Sequence, residues 1–404
     1  MFYADLHVHG PHSRGTSKAL SVDSLEKYAR IKGVGLLGTG DFTHPEWLKS
    51  LKTRLSGEGV LSTRSGFPFV LQTEISSIYS QGGRTRKVHQ VVLAPSFEVV
   101  DQINDELLKH GRLDYDGRPI FGMPAPEIVE LVTSVDKMCE VIPAHVWTPW
   151  FSLFGSRSGF DSIKDCYQDQ LKNIHAIETG LSSDPPMNWR LSQLDKFSIV
   201  SFSDLHSFWP WRIGRESTAL NCDLDYSKII NAIRKNKIAS TVEVDPNYGK
   251  YHLDGHRNCD VVLTPEEANK HNNTCPKCGK PLTIGVLHRV EELADRPEGY
   301  TPKNRPPFKT LLPLSELISA VSGYGVATKR AWAFYDRLVN GTSEMNVLLE
   351  MPEAELKRRT HEKIADAVMK NRAGSVEVSG GYDGVYGEAV LDSMTRQQRL
   401  GAFK

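Results

Sequence analysis

Residues 4–10 read ADLHVHG, and residues 199–208 read IVSFSDLHSF. In an extended strand successive side chains alternate between faces, so Asp5, His7 and His9 share one face and Leu6 and Val8 the other. Asp204 and His206 share a face in the same way, just past a short apolar strand. Imidazole and carboxylate groups converging from strand ends are the raw material of a hydrolytic metal site.

Outward from these two stretches, up to about residue 243, short apolar runs alternate with amphipathic ones. VGLLGTGDF (34–42), PFVLQTEI (68–75), KVHQVVLAP (87–95), CEVIPAH (139–145), NIHAIETG (173–180) and SIVSFSD (198–204) each carry a polar or metal-type residue. Between them lie helical patterns such as VDSLEKYARIKG and APEIVELVTSV. Strand–helix alternation with functional residues at strand C-termini predicts an α/β barrel. The doubly wound open sheet is the alternative, but no G-x-G-x-x-G follows the first strand.

The candidate ligands, in chain order, are His7, His9, Asp41, His44, Glu74, His89, His145, Asp204 and His206. His12 and Glu178 form a second tier, and His175 is read as structural. These donors are too many for one zinc, so two or three divalent ions are expected. Histidine with carboxylate suits Zn, Mn or Fe, while Mg prefers an all-oxygen shell. Clustered ions of this kind activate a water and clamp a phosphoryl group. His7, His9, Glu74, Asp204 and His206 are assigned the catalytic work.

From about 244 to 297 the chain turns polar and rich in His and Cys. His256-x2-Cys259 and Cys275-x2-Cys278 are separated by 15 residues. Four ligands with three thiolates leave no open position, which predicts a closed structural zinc site. Gly279 directly after CPKC permits the tight turn such a site needs. His252 is a rival to His256 for the fourth position. The isolated Cys139, Cys166 and Cys222 read as buried thiols, a pattern suited to a reducing cytoplasm.

A Pro- and basic-rich linker follows, then helical periodicity in LSELISAV, ATKRAWAFYDRLV and PEAELKRRTHEKIADAVMKN, and a Gly-rich tail. The expected domains are 1–243, a metal-dependent phosphoesterase barrel; 244–297, a zinc-binding segment; and 298–404, a helical DNA-binding module with a flexible tail. Lys+Arg and Asp+Glu both total 49, so no global basic field attracts a polyanion. Nucleic-acid contact must then come from local patches. Arg84, Arg86 and Lys87 precede His89. Gly323 and Gly325, with Lys329 and Arg330 behind them, would let helix N-terminal amides meet a phosphate. Trp147, Trp150, Phe151, Phe154 and Phe160 follow His145 as core or as base-stacking rings, at least one of them exposed. No apolar run reaches the ~20 residues of a membrane span, and the N-terminus lacks a signal-peptide pattern. A cytoplasmic monomer is expected.

ADLHVH, GTGDFTHP, QTEI, VHQVV, PAH and SDLH together resemble the PHP (polymerase and histidinol phosphatase) domain over roughly residues 1–240. That resemblance implies a distorted (β/α)7-type barrel with a trinuclear metal site. One departure is that the family's Asp-His pair at the second strand is here Asp41-Phe42, with His44 as the substitute. DLHVHGPHSRGTSK, HVWTPWFSLFGSRSGF, SSDPPMNWR, GKYHLDGHRNC and GVLHRVEELADR resemble the endonuclease Q family almost end to end. This second resemblance implies a DNA-repair endonuclease acting 5′ to deaminated bases (uracil, hypoxanthine, xanthine) and abasic sites, with base flipping. The competing readings are a histidinol-phosphatase-like small-molecule phosphatase and a non-catalytic nucleic-acid binder with a degenerate barrel. Finally, Gln397, Leu400 and Phe403 fit a short sliding-clamp box, with Lys404 where a second aromatic is usual.

Overall fold

The computed structural model describes residues 1–391; Gln397, Leu400 and Phe403 lie outside them. In chain order the barrel region contains β1 (Phe2–Asp5), β2 (Leu36–Gly38), β3 (Val60–Ser62), β4 (Pro68–Gln81), β5 (Arg84–Ala94), β6 (Ile120–Phe121) and β7 (Glu140–Pro143). It continues with β8 (Ala176–Glu178), β9 (Ser198–Val200), β10 (Ser217–Leu220) and β11 (Ile238–Glu243). Then come β12 (Asp254–His256), β13 (Val261–Leu263), β14 (Phe308–Thr310), β15 (Glu377–Ser379) and β16 (Glu388–Val390).

The main sheet runs β14-β11-β10-β1-β2-β4-β5-β7, with β3 and β6 added beside β4. β1, β2 and β4 are parallel neighbours, whereas β5 runs antiparallel to both β4 and β7. β8 and β9 form a separate parallel pair. Backbone bonds just past the strand ends close the gap: Val146 N to Glu178 O at 3.1 Å, Thr179 N to Val200 O at 3.0 Å, and His9 N to Leu205 O at 3.1 Å. The strands therefore surround one mouth, as the barrel reading predicts. Because β5 runs the other way, it serves that mouth from its first half, where His89 sits opposite Ser76 of β4. Beyond the mouth β4 and β5 continue as a hairpin that carries Arg84, Arg86 and Lys87.

Period-two alternation sorts neighbouring strand residues into two apolar clusters. Leu36, Val70, Val91, Ile142 and Ala176 join Ile229, Ile230 and Ile233 of the helix Tyr226–Arg234. Their neighbours Leu37, Phe69, Leu71, Val92, Val141 and Ile177 pack with the flanking helices, among them Val22–Lys32 and Ala125–Val135. The first of these helices opens with a Ser21–Ser24 capping box, so its first exposed amides are satisfied.

The C-terminal helices are Leu314–Ser322, Lys329–Val339, Glu344–Leu349, Glu353–Arg359 and Glu362–Arg372. Their core merges with Val242 and Val244 of the barrel region. A buried ion pair pins them to the barrel: Lys32 Nζ meets Glu344 Oε1 at 2.6 Å, with side chains 1% and 0% exposed. Two departures from the sequence reading concern segments rich in Pro or Gly. The linker contributes β14, parallel to β11, and the tail folds into the β15–β16 hairpin. That hairpin docks on the zinc segment, where Leu253 N meets Gly381 O at 2.9 Å and Arg257 N meets Asp383 Oδ2 at 2.7 Å. No helix among the described residues is long and apolar enough to cross a membrane.

Candidate active site

Six of the nine predicted barrel ligands converge into two interlocked groups. His7, His9, Glu74 and Asp204 form one, and Glu74, His89 and His145 the other, with the ligand atoms of each within 4.8 Å of one another. Glu74 belongs to both. Its Oε1 lies 2.8 Å from His89 Nδ1 and 3.1 Å from His145 Nε2, while its Oε2 lies 3.3 Å from His9 Nε2. Oε1 also lies 3.6 Å from His7 Nε2, so this one carboxylate is shared by both groups and would help to hold the ions of each.

The remaining predicted ligands take supporting places. Asp41 Oδ1 accepts from His9 Nδ1 at 2.9 Å, and its Oδ2 accepts from Gly10 N at 2.6 Å and Ser13 Oγ at 2.7 Å. Its carboxylate is thus committed to orienting His9. His44 stacks on His12 with ring centroids 4.0 Å apart, outside both groups. The His206 ring lies 4.5 Å from that of His9, tilted 49° to it, and donates from Nδ1 to the Asp204 carbonyl at 3.0 Å. Glu178, fully buried, accepts from His7 Nδ1 at 2.9 Å and from His145 N at 2.7 Å. It therefore leaves His7 Nε2 facing the cluster, buried and without a hydrogen-bond partner. Orienting carboxylates behind ligating histidines are a regular part of metal sites.

Asp41, His145 and Asp204 adopt φ of 41°, 30° and 46°, the left-handed region that non-glycine residues avoid. Strain of this kind persists only where surroundings enforce it, and it concentrates at functional sites. The packing is tight here too. A Cβ on Gly180, itself at φ +60°, would come within 2.6 Å of His145 Cβ.

The field inside the mouth favours positive charge. Burial opposes charging His7, but Glu178, Glu74 and Asp204 outweigh it and raise that histidine well above its ordinary range. Burial likewise works against Glu74, yet His89, Arg118 and His7 hold it well below the usual carboxylate range. Burial pushes His89 down to about 4, against the pull of Glu74, so its ring is neutral and able to ligate at neutral pH. An orphaned imidazole nitrogen, an ionised shared carboxylate and a cation-seeking field fit divalent metal ions. Arg118, missed in the sequence, donates to Glu74 Oε2 at 2.8 Å. It stands alone in a loop before β6, with no motif around it.

In the second site, His256, Cys259, Cys275 and Cys278 present their ligand atoms within 4.8 Å of one another. His256, rather than His252, is the histidine in that group. Burial raises the Cys275 thiol, but the backbone N–H groups of Lys277 and Cys278 bring it down to about 6, which favours the thiolate that binds metal. Gly279 supplies the turn at φ +71°. Among the described residues the local core is small, the buried Val261, Ala268, Cys275 and Leu282 with Cys259 and Leu263 against them, so a bound ion would add substantially to stability.

Of the predicted DNA-contact residues, Arg84 is exposed, whereas Arg86 bonds the Gly159 carbonyl and lies 4.2 Å over the Phe160 ring. Lys87 lies 5.1 Å from the Phe151 ring. These two thus brace the aromatic loop. Within that loop Trp147, Phe154 and Phe160 are core, and Trp150 is 37% exposed. Gly323 ends one helix and Thr328 caps the next, leaving Gly325, Lys329 and Arg330 exposed between and beyond them.

Residues 313–375 match the family model described as the MJ0043 C-terminal domain. Across the whole chain the structure is similar to the crystal structure of the lesion-specific endonuclease PfuEndoQ from Pyrococcus furiosus. The TM-score is 0.86 at 31% identity, covering 100% of this chain and 99% of that one. It is similar to the same degree, TM-score 0.86 and 31% identity over 97% of each chain, to endonuclease Q in complex with a 27-mer duplex substrate with an abasic lesion at the active site. An uncharacterized protein, MJ0043, from Methanocaldococcus jannaschii is 35% identical over 289 residues, which is 70% of this chain. This chain spans only 35% of that relative's length.

Proposed function

The chain belongs to the endonuclease Q family, and from that premise we propose that it is a metal-dependent DNA-repair endonuclease. It would hydrolyse the phosphodiester on the 5′ side of deaminated bases (uracil, hypoxanthine, xanthine) and of abasic sites in double-stranded DNA. The observation that carries this reading is Glu74 shared between two ligand groups at one mouth, an arrangement suited to in-line displacement at a phosphate. Bound divalent ions would supply charge for the phosphate oxygens and make a water more acidic.

The chain's own groups do the rest. Glu178 and Asp41 hold the Nδ1 protons of His7 and His9, so that both Nε2 atoms face inward. Asp204, the group's one carboxylate with appreciable side-chain exposure, 28%, meets incoming solvent. Burial keeps His206 below its ordinary range and so neutral; with Nδ1 bonded to the Asp204 carbonyl, its Nε2 is the group that accepts a proton from the attacking water. Arg84 on the hairpin and the Gly323–Arg330 turn would grip the DNA backbone without reading sequence. A zinc ion held by His256, Cys259, Cys275 and Cys278 would fix the fold of its own segment. The damaged nucleotide would leave the stack, at least cost where it is mispaired, and cleavage would leave 3′-hydroxyl and 5′-phosphate ends.

The test is cleavage of end-labelled duplexes carrying one uracil, hypoxanthine or abasic site, with Mn, Mg or Zn, beside His7→Ala. One product ending just 5′ of the lesion, absent in the variant, is expected. Intact DNA under every metal overturns the proposal.

A further inference from the structure

An imidazole can ligate only through the ring nitrogen that carries no proton, so each histidine of the barrel cluster needs a partner that fixes its tautomer. Glu178 does this for His7 and Asp41 for His9, each at 2.9 Å from Nδ1. His145 is arranged differently. Glu178 accepts from its backbone amide, while its ring Nδ1 lies 3.2 Å from the hydroxyl of Thr148, three residues on.

That hydroxyl has one proton to give. The Trp150 carbonyl lies 2.8 Å from Thr148 Oγ1, closer than the His145 ring at 3.2 Å or the His145 carbonyl at 3.5 Å. A hydroxyl that donates to a carbonyl keeps its lone pairs free to accept. With its proton committed to Trp150, Thr148 Oγ1 accepts from Nδ1–H of His145. The lone pair of His145 then sits on Nε2, which lies 3.1 Å from Glu74 Oε1 and faces the ligand group.

The loop that carries Thr148 holds this geometry from several sides. The Ser152 hydroxyl donates to the Thr148 carbonyl. Phe151, held at φ 61°, accepts through its carbonyl from His89 N at 3.1 Å, and its ring lies 4.8 Å from that of His89. One loop therefore touches both histidines of the Glu74–His89–His145 group. On its far side Arg289, from the helix Val286–Leu293, donates to the Phe154 carbonyl at 3.0 Å.

Resting on the metal-centre reading above, we propose that Thr148 is a positioning residue for the ion of the Glu74–His89–His145 group. Its hydroxyl, oriented by the Trp150 carbonyl, selects the tautomer of His145 that ligates. The aromatic loop thereby sets the affinity of one ion and not of the other. A shift of the Trp150 carbonyl would free the hydroxyl to donate to Nδ1; the ring proton would then reside on Nε2 and close that ligand position.

The experiment titrates full-length protein, with zinc in place at its Cys site, with Mn in the absence of DNA. Free Mn is read from its paramagnetic resonance signal. The proteins are wild type, Thr148→Val and Thr148→Ser; valine keeps the branched shape without the hydroxyl, and serine keeps the hydroxyl. The expected result is one Mn step weakened roughly 10- to 100-fold in the valine variant, restored in the serine variant, with the other step unmoved in both. Wild-type Mn binding by the valine variant overturns the proposal. So does an equal loss in both variants, which would make residue 148 a packing group. If the valine variant does not fold, nitrogen NMR of the imidazoles in zinc-loaded wild type decides the matter: a proton on Nδ1 of His145 and metal on Nε2 are expected, and metal on Nδ1 overturns the proposal. Wild type that takes up no Mn in the barrel overturns the metal-centre reading itself.

Discussion

Glu178→Gln tests the claim that a buried carboxylate sets the tautomer of His7. The carboxylate takes two hydrogen bonds that converge from different elements, from His7 Nδ1 at 2.9 Å and His145 N at 2.7 Å. Glutamine has the same shape but offers one oxygen and one NH2. If its oxygen serves the His145 amide, its NH2 faces His7 Nδ1. That nitrogen must then accept, and the ring proton moves to Nε2, where it blocks the cluster. If the amide turns over, a donor meets the His145 N–H, at a cost of about 1–3 kcal/mol for a buried unsatisfied group. Loss of a second-layer carboxylate typically weakens metal affinity or activity by ~10- to 100-fold, or about 1.4–2.7 kcal/mol. The assay is cleavage of an abasic duplex across a Mn titration. The half-saturating metal concentration should rise by that factor, while the rate at saturating metal recovers most of its value. A half-saturation point equal to wild type, in a protein that melts at the same temperature, would refute the reasoning.

Three further outcomes are expected. Cys275→Ser should strip hydrogen-exchange protection from the β12–β13 hairpin while barrel strands keep theirs, because the segment's apolar core is small; protection unchanged after metal loss would contradict this. Lys32→Met leaves Glu344 buried with only the Leu314 amide and the Tyr335 hydroxyl, so unfolding free energy should fall by about 3–5 kcal/mol, and a loss under ~1 kcal/mol in denaturant melts would count against a pinned interface. Burial raises Glu243 from 4.5 to about 8, so its contribution to stability is full below pH 4.5 and lost as pH rises through 8. Glu243→Gln should therefore flatten the decline in stability between pH 5 and 9, and melts with an unaltered slope would sink that assignment.

Much of the barrel site was legible because each ligand ends or interrupts an apolar run, and strand periodicity alone says which residues share a face. His7, His9, Glu74, His89, His145 and Asp204 meet for that reason. Asp41 shows the limit of the method. It sits at a strand end like the others, but its oxygens are taken by Gly10, Ser13 and His9 once the loop after β1 folds back. No local pattern encodes that return. Arg118 is a lone residue whose partner, Glu74, is 44 positions away. β14 and the β15–β16 hairpin hid in Pro- and Gly-rich sequence, where pairing with distant strands and docking outweigh local propensity.

The order of these parts along the chain has a consequence for synthesis. Every ligand of the barrel cluster has been made by residue 204, whereas the β15–β16 hairpin is the last element among the described residues. At 5–20 residues per second, ribosomes need roughly 10–40 s to cover that interval. During it a nascent chain can already hold the barrel's ligand cluster without the terminal hairpin that docks on the zinc segment. A truncated product, from an early stop or a stalled ribosome, would keep that imbalance permanently. Cells would then gain from destroying such fragments quickly, and screens of C-terminal truncations should look for toxicity as well as for lost repair.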